Sequence, residues 1–224
     1  MNFAPVAFMQ QQSNAKSIQF ISYSGFTNDA SSYTGTTTLD AGMYAICLHN
    51  EGSSGRGTNS VVFKNATFGD TSGTERVDQT NGSVAAALYT VTLANNGTYD
   101  IVTTLTSTTN RFLIAIYKLN NMSSIVPIDA TFTSSGSANS LSFTNSTIFG
   151  YGIATSTVNS QNAAPVTWSI TGSSTGITKN YDETTESLVS FSGAQYYQYD
   201  GANTTITATF STTSNGLILG GLWE

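Results

Sequence analysis

Charge is what this sequence has least of. Only 9% of its 224 residues are Asp, Glu, Lys or Arg, against about 25% in an average globular protein. The 7 Lys and Arg residues are scattered singly, and the formal net charge is −6. Nucleic acids and anionic membranes are held by clustered cations, so neither is an expected partner. A monomer ordinarily stays soluble through surface charge; a chain without it is expected to hide surface in an assembly. Cysteine is as scarce. Cys47 stands alone, which excludes an internal disulfide and a cysteine metal cluster. No hydrophobic run reaches the ~18 residues of a membrane span. Residues 1–12 lack a basic n-region and a long apolar h-region, so no secretory signal is expected. A Gly-rich phosphate loop, a Gly-x-Ser-x-Gly elbow and a Ser-His-Asp set are all missing.

What is present is β-forming. Hydrophobic residues make up 39% of the chain, with 12 Phe and 11 Tyr, so it is not disordered despite its Ser, Thr, Asn and Gly. Aromatic and Thr-rich segments alternate with Gly/Asn/Ser clusters, the pattern of strands and turns. The most apolar run is Arg111-Phe112-Leu113-Ile114-Ala115-Ile116-Tyr117-Lys118-Leu119. At a period of two, Phe112, Ile114 and Ile116 point one way and Leu113, Ala115, Tyr117 and Leu119 the other. Both faces are apolar, which predicts the central strand of the main sheet. Its second face needs either another layer of this chain or another subunit. Residues 43–49 make a second such strand.

Residues 84–93 are expected to be a strand, and Asn95-Asn96-Gly97 after them predicts a tight hairpin turn. A second hairpin is expected over residues 104–113, giving a meander. Further on, Val166, Trp168 and Ile170 alternate with threonines and serine, as do Ile206, Ala208 and Phe210 with threonines, the pattern of half-buried antiparallel strands. Around residue 151, Phe149, Tyr151 and Ile153 share one face and Gly150, Gly152 and Ala154 the other, so something must back closely onto the small face. No fixed-period repeat or charged linker divides the chain. The expected fold is all-β: an antiparallel two-sheet β-sandwich, jelly-roll-like, spanning residues 17–224 as one domain, with an extended N-terminal arm over residues 1–16.

Candidate chemistry is thin. His49 and Cys47 share a strand face, but one of each makes at most half a zinc site. The bland alternative is a buried thiol and a strand-end imidazole. Carboxylates gather at Asp70, Glu75 and Asp78 and at Asp182, Glu183 and Glu186, without calcium-loop spacing or paired glycosidase geometry. No catalytic, metal or cofactor residue is assigned, and no enzyme is expected. The contact-surface candidates are Phe3, Val6, Phe8 and Met9 of the arm, and Tyr196, Tyr197 and Tyr199 of a tyrosine-rich strand. Tyrosine suits protein interfaces and also stacks on sugars. Alternation sets Tyr197 and Tyr199 against Tyr196, so one face belongs to the core.

The series Ala41–Leu48, then Arg111–Leu119, then the Thr-rich strands to Gly220-Gly221-Leu222-Trp223-Glu224 resembles small β-sandwich virion proteins of tailed bacteriophages. The resemblance lies in composition and strand layout. It implies a virion location and a non-enzymatic structural role, as a capsid decoration or cement protein or a tail-associated one. The expected partners are other virion proteins and further copies of the chain. The alternative is a carbohydrate-binding adhesin or tail-fibre receptor-binding module, with a host-surface glycan as partner.

Overall fold

The computed structural model describes residues 15–52, 57–145, 149–159, 165–172, 174–185, 189–199 and 203–224. Every regular element among them is a strand, and every pairing is antiparallel. The first nine strands are β1 (Ser17–Phe26), β2 (Ala30–Leu39), β3 (Gly42–Glu51), β4 (Thr58–Lys64), β5 (Thr71–Ser72), β6 (Thr74–Asn81), β7 (Val84–Leu93), β8 (Gly97–Thr109) and β9 (Arg111–Asn120). Their pairings nest: β1 with β9, β2 with β8, β3 with β7, β4 with β5. A ribbon nested in this way must roll up to bury its apolar face. It does so as a five-stranded sheet, β1-β9-β3-β7-β6, over a four-stranded one, β2-β8-β4-β5. This nested strand order is the one a jelly roll has. Ile46, Leu48, Ile114 and Ile116 of the first sheet meet Val61, Phe63, Ile101 and Leu105 of the second in the core between them.

The remaining strands are β10 (Asp129–Asn145), β11 (Gly150–Asn159), β12 (Thr167–Thr171), β13 (Ser174–Thr185), β14 (Val189–Gln198) and β15 (Thr204–Trp223). They form one sheet, β10-β15-β11-β14-β13, with β12 added on β15. The β10–β15 ladder shifts register twice between Ser135 and Ser140. Beyond that break β12 pairs only with residues 205–209 of β15, and β11 only with residues 215–223. The sheet therefore folds over on itself and encloses a second core. In it Phe143, Trp168, Ile206 and Ala208 pack with Ala154, Ala194, Tyr196 and Leu222.

Divided at this break, β10 and β15 each supply two strands, and the second half repeats the plan of the first. The β10 halves stand where β1 and β2 stand, and the β15 halves where β8 and β9 stand. β11, β12, β13 and β14 correspond to β3, β4, β6 and β7. Registers correspond too. Met43 pairs Thr92 as Tyr151 pairs Tyr197. His49 pairs Leu113 as Thr157 pairs Leu217. A register shift between Glu75 and Val77 recurs between Lys179 and Tyr181. The described strands thus fall into two units of one strand plan in tandem, where the sequence pattern predicts a single domain over residues 17–224 and shows no repeat. Identities at matched positions are few, such as Leu113 and Leu217 or Asp78 and Asp182. What recurs is the in–out alternation, which many residues satisfy.

The two rolls pack large sheet to large sheet. Ala45, Cys47, Leu88, Leu113 and Tyr117 meet Ile153, Phe191, Leu217, Leu219 and Trp223 in a shared core. The all-β sandwich of antiparallel sheets is therefore present, with three sheets among the described residues where two are expected. Arg111–Leu119 is corrected from the central strand to an inner one, β9 lying between β1 and β3 while β3 takes the middle place. Its second face is covered by this chain's own second roll, so these strands make no demand for a partner subunit. The expected meander is corrected. β7 and β8 lie in different sheets, as do β8 and β9. Both edges of β7 are already taken by β3 and β6, so the Asn95-Asn96-Gly97 turn passes the chain across to the other sheet.

Candidate functional site

His49 and Cys47 lie on the face of β3 that meets the second roll, and both are fully buried. Nδ1 of His49 lies 2.8 Å from Oγ1 of Thr157, and Nε2 lies 2.6 Å from both the Tyr181 hydroxyl and Oγ1 of Thr155. The network continues as Thr155 donates to the Ser192 carbonyl (3.1 Å), while Trp168 Nε1 donates to the Ser192 hydroxyl (2.9 Å). Both ring nitrogens are thus engaged, as burial of a neutral imidazole requires. Desolvation lowers the His49 pKa to about 3 and pushes the Cys47 thiol up. Neither group is poised for nucleophilic or proton-transfer work at neutral pH, since the imidazole is neutral and the thiol protonated and sealed. The imidazole sits at the seam between rolls, deeper than the strand-end position expected.

Four of the six carboxylates are also engaged in structure. Asp78 accepts from the Thr58 N–H at 2.6 Å, and burial raises its pKa to about 6. At the matching place in the second roll Asp182 accepts from the Val166 N–H and pairs with Lys179 at 2.7 Å. Glu75 accepts from the Tyr89 hydroxyl, and Glu183 from that of Tyr23. Asp70 lies on an exposed loop, and Glu186 lies outside the described residues. Among the described residues no three His, Cys, Asp or Glu side chains are grouped to hold a metal ion.

The tyrosine-rich strand divides as alternation predicts. Tyr197 is half-buried and Tyr199 is 46% exposed, whereas Tyr196 is 4% exposed. Tyr196 is therefore corrected from contact surface to core. Its ring fills the space left by Gly152, where a Cβ would collide with it, and its hydroxyl accepts from Asn145 Nδ2. This ring is what backs the small face of β11. The arm residues Phe3, Val6, Phe8 and Met9 lie outside the described residues.

Sequence reasoning missed the partner of Tyr197. Pairing of β11 with β14 sets Tyr151 opposite it, ring centroids 4.7 Å apart and tilted by 41°. Tyr199 continues the row, 6.3 Å from Tyr197. Beside these rings is a cleft of about 300 Å³. Its walls are Ser17 and Ile18 of β1, Tyr151 of β11, residues 176–178 of β13 and residues 195–197 of β14. Gln195 is held at its edge, donating to the Ile18 carbonyl and accepting from Asn180, both at 3.3 Å. The alternation of residues 149–153 located Tyr151 on a face; only the strand pairing brings it to Tyr197. Compared with known proteins, the chain matches no family model, no curated protein and no solved structure.

Proposed function

We propose that the chain is a non-enzymatic structural protein of a virion, a decoration or head-attached component held by contacts to other virion proteins. The observation that carries this reading is the pair of jelly rolls fused through their large sheets into one shared core. Viral capsid domains and lectins use this architecture, so the support is by analogy of fold and not by site chemistry. The hydrogen-bonded histidine, the buried thiol and the four engaged carboxylates fit a non-catalytic role. With the inner strands covered internally, attachment falls to the outer surfaces and to residues 1–16. Self-association through those surfaces belongs to the same proposal. Co-sedimentation with purified particles tests it, comparing the full chain with one lacking residues 2–12. The full chain is expected to sediment with particles and the deletion to bind more weakly while melting at the same temperature. Absence of the full chain from particles would sink the proposal. The second reading, a carbohydrate-binding adhesin or receptor-binding module, is favoured by the Tyr151–Tyr197 cleft.

A further inference from the structure

We propose that the cleft between β1 and the β11–β14–β13 strands binds a neutral carbohydrate, one or two sugar rings in size. This deepens the second reading above, on which it rests, and does not depend on the virion assignment. A sugar ring has an apolar C–H face and a rim of hydroxyls. Its site therefore needs an aromatic wall and neutral groups that both donate and accept. Tyr151 and Tyr197 supply the wall. Ser17, Thr178 and Gln195 supply hydroxyls and an amide.

The other ligand classes fit less well. Among the described residues none that lines the cleft is charged, so its walls offer phosphorylated, sulfated and sialylated ligands no counter-ion. Stacked nucleobases are held together with a cationic track for their backbone, and this chain carries a net charge of −6 with its cations dispersed. A protein partner needs about 800 Å² on each side, whereas this is a concavity of about 300 Å³, the small end of the range for small-molecule sites.

The first roll provides an internal control. The same paired positions on β3 and β7 hold Met43 and Thr92. The Arg76 Nε bond to Thr90 there occupies the place of the Asn180 bond to Gln195. The fold thus builds this corner without aromatic rings. The tyrosine pair in the second roll is not a requirement of the strand pairing, and burial explains it only in part, since Tyr151 packs on the edge of the shared core while both rings stay half-exposed.

The test is a titration of the full chain with methyl glycosides of glucose, galactose, mannose and N-acetylglucosamine at millimolar concentration, followed by ligand-observed NMR and tyrosine fluorescence. At least one is expected to bind saturably. Tyr197→Ala should weaken that binding about tenfold, while Tyr197→Phe, which keeps the ring, stays near the parent. Tyr151→Ala provides a second variant if Tyr197→Ala fails to fold, and Thr92→Ala in the first roll is expected to change nothing. Two results would overturn the proposal: no saturable binding by any of the four glycosides, or binding unaltered by loss of either ring.

Discussion

His49 and Thr157 hold the same position in the two rolls, and they are hydrogen-bonded to each other, Nδ1 to Oγ1 at 2.8 Å. The matching faces of two copies of one fold thus meet at matching residues. A homodimer would join such units through a self-complementary face; here one chain supplies both halves. Because the seam is internal, its polar groups are specified once each. An imidazole on one side can face a threonine on the other.

That seam makes the protein acid-sensitive. His49 has a folded pKa of about 3 against an unfolded value near 6.5. The groups facing it offer no anion, since burial holds the Tyr181 hydroxyl and the Cys47 thiol protonated. The unfolded chain therefore binds the proton that the folded chain refuses. Stability from this site is complete above pH 6.5 and falls as the pH drops toward 3, by about 1.4 kcal/mol per pH unit within that window. Urea unfolding at pH 7, 6, 5 and 4 checks this, with His49→Gln expected to show a shallower decline. Parallel declines in the two proteins would contradict it.

The fold was legible to the depth at which alternation is informative. Residues 111–119 and 43–49 declare two apolar faces, and Tyr197 and Tyr199 separate from Tyr196, all from a period of two. Alternation says which face is inward but not which layer covers it. Alternation therefore leaves the second layer over Leu113 and Tyr117 open between this chain and a partner. The duplication was hidden for a related reason. Asp78 and Asp182 match, but Met43 and Tyr151, or His49 and Thr157, share only a direction. The fused strands β10 and β15 further disguise four strands as two. The cleft could not be read because it needs residue 151 beside residue 197 and both near Ser17, which only the strand order supplies.

Gly152 and Tyr196 test the close approach at β11. A Cβ on Gly152 would fall on the Tyr196 ring, so Gly152→Ala is expected to cost about 1–3 kcal/mol through overpacking. Tyr196→Ala should cost about 3–5 kcal/mol, leaving a cavity where the ring was. The added methyl partly fills that cavity, so the double variant should lose less than the sum of the single losses. Denaturant unfolding of the four proteins measures the coupling. Strict additivity would mean that the ring does not occupy the glycine's space.

Ile114 tests the burial of the inner strand β9. It is 2% exposed and faces the core between β9 and the four-stranded sheet. Ile114→Ala should cost about 2–5 kcal/mol in equilibrium unfolding. A loss under about 1 kcal/mol would displace β9 from the interior of the fold.

The last prediction uses one roll as the design for the other. Glu51 and Arg111 are opposed across β3 and β9, and their charges meet at 2.7 Å with side chains 14% and 10% exposed. In the second roll the opposed residues at that place are Asn159 and Asn215. The fold therefore accepts a neutral polar pair where the first roll has an ion pair. Two charges taken out of water have a large desolvation cost, which their attraction offsets only while both are present. Glu51→Asn alone leaves the Arg111 guanidinium without its carboxylate and is expected to cost about 3–5 kcal/mol. Adding Arg111→Asn removes the cation that has lost the Glu51 carboxylate and should restore part of that loss, so that the double variant is more stable than Glu51→Asn alone. Thermal and urea melts at neutral pH decide the matter. A double variant less stable than the single one would mean that Arg111 contributes chiefly through its other contacts, and that the two rolls do not share interchangeable chemistry at this position.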